Sequence, residues 1–386
     1  MFEIANTPRD YAWGSLGALS ALAGVSRPNS REAELWLGDH AAHSAVLVSD
    51  PSTTLREWIA QHPDRSGGRD LPFLVKLLAV AQPLSIQVHP TRVQAQVAFA
   101  AENAQGIPVD SADRNYRDDN HKPEIIIALT DGFSALSGFR PTEQIQAILS
   151  ALSHALPEAA GDIDAVRAAL VAGSASAVTW ILGNPAPVSS LSNALTNSTV
   201  VLADSVAADA LDVARLAATK YPGDPGIVVS LLLNHVVLAA GESLFVPAGC
   251  MHAYLHGLGV EVMASSDNVV RGGLTAKHVD VTELARIMDA EAFAPRVVPR
   301  SPAPGIDVFE PPIDDFAVTR VVVDGRDAAL NIEGPAIAVV TSGSVDLVAQ
   351  NAESATPTRA FFIEAGEFLA QIAGNGTVFI AHRPVR

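Results

Sequence analysis

The sequence predicts a mainly β protein with a helical insertion, built as two jelly-roll barrels plus an α-helical domain. Three observations lead there. Short apolar runs bounded by turn residues fill both ends of the chain. The hydrophobic period becomes helical between residues 141 and 223. One glycine-framed pattern occurs twice. With 386 residues, 48% of them hydrophobic, the chain is long enough for two or three domains with an ample core.

The first β region runs from residue 1 to 140, with apolar strands expected at Leu71–Val80, Leu84–Val88 and Glu124–Leu129. Pro141, Thr142 and Glu143 then open a helix in which Ile145, Ile148, Leu149 and Leu152 recur at helical spacing. Segments 162–172 and 207–220 follow the same logic, and Tyr221–Pro225 stops the last helix. Strands resume at Ile227–Leu233, Val236–Leu238 and Leu244–Val246, which assigns 224–285 to the first barrel. A helix-like stretch from Thr282 to Ala292 and a proline-rich linker from Pro295 to Pro304 lead into 286–386, β-like throughout, as in Phe316–Val323 and Ala336–Val340.

The repeat aligns Leu238–Gly249 with Ile363–Gly374, matching at six of twelve positions, including both glycines. Glycine turns on either side of a strand suit the corners of a small barrel. Three residues past the second glycine the copies diverge, to His252 in one and Thr377 in the other. A metal site is therefore expected in the first barrel only.

Charge narrows the function classes. Forty-two acidic against 25 basic residues give a net charge of -17, which disfavours nucleic acid and anionic membrane as partners. The single cysteine, Cys250, excludes a disulfide scaffold. Residues 1–10 carry charges and a proline where a leader needs an apolar run, and the longest apolar stretch, Ile227–Ala240, is interrupted by Asn234 and His235. A soluble cytoplasmic protein is the expectation. Only four basic residues are lysines (Lys76, Lys122, Lys220 and Lys277), a bias that codon usage explains, but one that marks any lysine inside a polar motif.

Four strings are candidates for chemistry. In Ser85–Pro90 strand alternation puts Gln87 and His89 on one face. In Asp118–Glu124 the carboxylate Glu124 opens an apolar strand with His121 and Lys122 just ahead of it, where a barrel interior would demand a cation or hydrogen-bond partner. In Pro247–Tyr254 a glycine turn delivers His252 to a strand start, with Cys250 on the same face. In Glu261–Lys277 two acids, Glu261 and Asp267, and two bases, Arg271 and Lys277, surround a Gly-Gly turn suited to an anionic oxygen. Taken singly each also reads as ordinary structure: a strand-end or packed histidine, or a charged turn. Together Gln87, His89, Glu124 and His252 make an open-site ligand count for Zn²⁺. Cys250 remains geometrically possible as a ligand but reads as structural.

In family order, Tyr11–Ser15 (with Trp13), Glu34–Gly38, the Gln87/His89 string, His121–Glu124, and His252–Leu255 through Asp267 and Asn268 to Arg271–Thr275 resemble the type I mannose-6-phosphate isomerases. The resemblance implies cupin-like jelly-roll barrels, the second lacking the metal site, and one zinc ion per chain. It implies interconversion of mannose 6-phosphate and fructose 6-phosphate through an enediol(ate), within carbohydrate metabolism on the way to GDP-mannose or from mannose breakdown. Gln87, His89, Glu124 and His252 carry over as metal ligands, Arg271 as catalytic, and Lys122, His121, Glu261 and Asp267 as acid, base or orienting groups. Trp13, Ser85 and Lys277 are expected to bind substrate. The expected partner is a small sugar phosphate, the expected assembly a monomer or weak homo-oligomer. Two departures stand out: Asp39–His43 replaces a histidine-proline turn in a loop near Trp36, and Cys250 before His252 would make the site oxidisable.

Two rival readings share these residues. A barrel oxygenase would hold Fe(II) with two histidines and a carboxylate, against which stand Gln87 and the phosphate-suited bases. A non-catalytic sugar-phosphate binding module would use the same pocket for recognition alone.

Overall fold

The computed structural model describes residues 1–291 and 296–384. It is mainly β with a helical insertion, as the sequence predicts. A nine-stranded sheet joins Glu34–Leu37, Phe73–Val80, Gln87–Val88, Glu124–Ala128 and Phe133–Phe139 to Leu233–Leu238, Ser243–Val246, His252–Ala264 and Val270–Arg271. The strand His252–Ala264 binds this sheet into a barrel. Its first residues pair with Phe133–Phe139 and with Gln87, its later ones with Phe73–Val80 and Glu124–Ala128.

An eleven-stranded sheet forms the second barrel, and the N-terminal strand Phe2–Ala5 belongs to it, pairing Phe2 with Phe362. Val46–Leu47 and Asp50–Thr54 extend the same sheet. Such a pairing across the whole chain leaves no mark in local periodicity. Between Phe133–Phe139 and Leu233–Leu238, both strands of the first barrel, the helices Thr142–Ala155, Ala160–Leu170, Ser174–Gly183, Pro185–Asn197 and Ser205–Lys220 follow in sequence. No helix among the described residues is long and apolar enough to cross a membrane.

Three expectations are corrected. Ile227–Leu233 is not one strand: Gly226–Ser230 is helical, with the Asp224 carboxylate accepting from the Gly226 N–H, and the strand begins only at Leu233. A short, wholly apolar run carries no period to tell the two apart. The helix read at 282–292 spans Val281–Ile287, started by Asp280 accepting from the Glu283 N–H; Ala292 and Pro295 lie outside the described residues. Within the proline-rich linker, Arg300–Ala303 is a strand. In the repeat, Gly241 and Gly366 both take left-handed φ (85° and 77°), so the copies share their first corner. At the second corner they differ, because Phe368–His382 runs through as one strand where the first copy breaks before His252.

Strand alternation distributes the side chains. From Phe73–Val80 the odd positions Phe73, Val75, Leu77 and Ala79 join Ile125, Ile127, Val260 and Val262 in a core shared with Phe309, Phe316, Val318 and Phe362 of the second barrel. From Gln87–Val88 and its neighbours, Ile86, Val88, Met251 and Leu255 pack into the core of the helical insertion. The opposite faces point into the first barrel. There Leu78, Val80, Ile126 and Tyr254 form an apolar cluster, while Lys76, Gln87, His89, Glu124, His252 and Glu261 occupy polar positions on the same faces. The second barrel is filled by Val321, Leu347, Phe361, Ile380 and other apolar residues.

Candidate metal centre

His89, Glu124 and His252 converge inside the first barrel, all buried, with their ligand atoms within 4.8 Å of one another. Glu124 opens its strand, and His252 follows the turn whose Gly249 N–H donates to the His89 carbonyl at 2.9 Å. Gln87, half-buried two residues before His89, is the register partner of His252 on one side and of Arg271 on the other. Among the described residues this is the one group of histidine, cysteine and carboxylate side chains that could hold a metal ion.

Hydrogen bonding fixes the imidazoles. His89 Nδ1 lies 2.7 Å from the Asn268 carbonyl and His252 Nδ1 lies 3.0 Å from the Cys250 carbonyl. A carbonyl only accepts, so each Nδ1 carries the hydrogen and each neutral ring presents a lone pair at Nε2. Neither Nε2 has a hydrogen-bond partner. Yet His252 Nε2 stands 3.2 Å from Glu124 Oε1, and His89 Nε2 stands 3.5 Å from Oε2. Acceptor against acceptor in a buried site is repulsive unless a cation lies between them. Two ligands bound at about 2.0–2.1 Å in a tetrahedral shell would be about 3.3 Å apart. The donor set therefore fits a zinc-type ion. Burial and nearby Lys122 push His89 down to about 4, so its ring does not take up a second proton at neutral pH.

Around this group the carboxylate is held ionised. Burial pushes the Glu124 carboxyl up, but the Lys122 ammonium, the largest opposing influence, holds it below its ordinary value. Lys122 Nζ is 3.7 Å from Oε2, and the Tyr254 hydroxyl donates to Oε1 at 2.9 Å. A second buried cluster lies alongside. Lys76 Nζ is 2.9 Å from Glu261 and 3.8 Å from Glu34, and the Trp36 indole N–H donates to Glu34 at 2.6 Å. Burial raises the Glu261 carboxyl, with Lys76 pulling it down and Glu124 adding to the rise.

At the mouth, His40 Nδ1 accepts the Ala42 N–H at 3.2 Å, so Nε2 donates to Asp267 at 3.1 Å. For Asp267 burial works upward, while His40, Lys122 and Lys76 together bring the carboxyl below its ordinary value. Asp267 lines a cleft of about 540 Å³ together with His40, Arg56, Arg92, Arg117 and Asp315. Arg117, from this cleft, also lies near Arg271 and Lys277. Burial and then Arg117 lower Arg271; burial, Arg271 and Arg117 lower Lys277. Cations grouped in this way suit a doubly charged anion.

The remaining expected residues are disposed as follows. His121 Nε2 turns to Asp315 at 2.8 Å, beside Arg92. Trp13 stacks on Tyr11 and packs against the apolar cluster that includes Tyr254, and Ser85 is half-buried ahead of Gln87. One inference from the departures is corrected: Cys250 is fully buried and its thiol is pushed up to about 12, chiefly by burial, so it is a shielded group that serves His252 through its carbonyl. The Asp39–His43 loop lies beside Trp36, as expected, and also brings His40 to Asp267. Glu34, Lys76, Tyr254, His40 and Arg117 were given no role in the site from the sequence. Lys76 carried a usable signal, a lone charge at an inward position of a run otherwise wholly apolar.

A small barrel with a two-histidine, one-carboxylate metal group and a cation-lined mouth defines a metal-dependent enzyme site for an anionic small molecule. Residues 1–142 match the family model of the phosphomannose isomerase type I catalytic domain. The mannose-6-phosphate isomerase of Escherichia coli (strain K12) is 36% identical over 397 residues, covering 97% of this chain and 98% of that protein. That of Bos taurus is 31% identical, covering 95% and 94%. A crystal structure of mannose 6-phosphate isomerase from Salmonella typhimurium, bound to substrate and zinc, superposes with a TM-score of 0.77 at 31% identity over the whole of both chains. The chain belongs to the type I mannose-6-phosphate isomerase family.

Proposed function

We propose that this chain is a zinc-dependent aldose-ketose isomerase that interconverts mannose 6-phosphate and fructose 6-phosphate. The observation that carries the reading is the pair of buried, unpartnered Nε2 atoms facing the Glu124 carboxylate. His89, Glu124 and His252, with Gln87 as the fourth, would hold the ion. When bound, zinc supplies Lewis-acid polarisation of the sugar oxygens. Catalysis is assigned to the nine-stranded barrel within 1–140 and 224–285, the helical insertion to 141–223, and a metal-free barrel to 286–386 together with the strands Phe2–Ala5, Val46–Leu47 and Asp50–Thr54.

The protein's own groups do the rest. Isomerisation takes the proton from C2 of the open-chain aldose and returns it to C1, while the hydroxyl proton passes from O2 to O1. Asp267 is the favoured carrier, because it opens on the cleft and stays ionised, whereas Glu261 is tied to Lys76. Arg271, with Arg117 and Lys277, receives the anionic end of the substrate, and Lys122 keeps Glu124 ionised. Ser85, Trp13 and His121 complete the proposed walls. The test is product formation in deuterated water. Fructose 6-phosphate carrying solvent deuterium at C1 is expected from the unmodified chain, with turnover down by about 10²–10⁴ in Asp267→Asn. No turnover from a folded, zinc-loaded chain would refute the assignment.

A further inference from the structure

We propose that Asp315, from the second barrel, is a positioning residue for the metal centre: one carboxylate ties together the two chain segments that carry His89 and Glu124. Its Oδ1 lies 2.8 Å from Arg92 Nη2 and its Oδ2 lies 2.8 Å from His121 Nε2, with its side chain 8% exposed. Arg92 and His121 meet each other at 2.7 Å, so the three groups form one cluster. Burial pushes the carboxyl up, and His121 and Arg92 outweigh it.

The spacing gives the cluster its leverage. Arg92 stands three residues after His89, and His121 stands three residues before Glu124. Each short link contains a proline, Pro90 in one and Pro123 in the other, so displacement at one end is passed to the other rather than absorbed. Arg92 also begins the helix Arg92–Ala104, whose start is fixed by the Thr91–Gln94 capping box. Asp315 is equally fixed, because the next residue, Phe316, is fully buried in the core shared by the two barrels. The second barrel, apolar inside, thus contributes to the site of the first through a single anchored carboxylate. Positional support outside the ligand set is how metal sites hold their geometry.

This inference rests on reading His89, Glu124 and His252 as metal ligands. The test measures the apparent zinc dissociation constant of the full chain by competition with a chromophoric chelator. Asp315→Asn and Arg92→Gln are each expected to weaken zinc binding toward the lower end of about 10–100-fold. Arg92 is half-exposed, so its variant carries the test if Asp315→Asn does not fold. Glu364→Gln is the control: it weakens a different ion pair on the second barrel's side, to Arg65 at 2.7 Å, and should leave zinc affinity unchanged. Unchanged affinity in a folded Asp315→Asn or Arg92→Gln chain would overturn the proposal, as would equal weakening by Glu364→Gln, which would mark a generic loosening of the second barrel. An unmodified chain that binds no zinc, or whose binding survives Glu124→Gln, would instead refute the ligand assignment, and this inference with it.

Discussion

Glu124 and His252 start neighbouring segments of one barrel and place Oε1 and Nε2 3.2 Å apart, both as acceptors. Apolar packing does not produce such a pair. It persists because the Cys250 carbonyl holds the His252 ring by Nδ1 and the Tyr254 hydroxyl holds the carboxylate from the other side. Glu124→Gln keeps the shape and removes the charge. The expected result is a loss of zinc affinity of more than about 100-fold, read by metal content after gel filtration, with the fold retained by circular dichroism.

Lys76 is buried between Glu261 and Glu34. Lys76→Ala would leave two carboxylates without their cation in the barrel interior. Removing one partner of such a group costs about 3–5 kcal/mol, measurable as a lower urea midpoint. A second change, Glu261→Gln, should recover part of that loss; no recovery would mean that the charge balance is not what holds the cluster.

Cys250 should be chemically silent in the native state. Its thiol is fully buried and lifted to about 12, so little thiolate forms at neutral pH. Labelling by iodoacetamide is expected only at the rate of unfolding, and activity should survive the reagent. Rapid labelling of folded protein would contradict the structure.

His382 sets a pH dependence away from the active site. Burial lowers its pKa below the ordinary 6.5, with Nε2 2.9 Å from the Thr319 hydroxyl. The unfolded chain therefore binds the proton first. The stability contribution is fully present above about 6.5 and is lost as pH falls through the lower folded-state value. The slope of unfolding free energy against pH below 6.5 should flatten in His382→Gln, and an unchanged slope would rule this origin out.

Much of this was legible in the sequence because it is local. Period-two alternation put Gln87 and His89 on one face, and the change of period marked the helical insertion. What was not legible depends on distant contacts. The Phe2–Phe362 pairing, the His40–Asp267 bond and the Asp315 cluster each join residues far apart in the chain. Ile227–Leu233 failed for a different reason: a wholly apolar run carries no phase, and its helical start depends on the Asp224 carboxylate, which also accepts from the Leu274 N–H.

The most direct test follows one preparation of the chain through chelation and zinc return, assaying fructose 6-phosphate formed from mannose 6-phosphate at each stage. Activity that disappears with the metal and comes back with zinc is the predicted result. Full activity after the last zinc has been removed would contradict the role given to His89, Glu124 and His252.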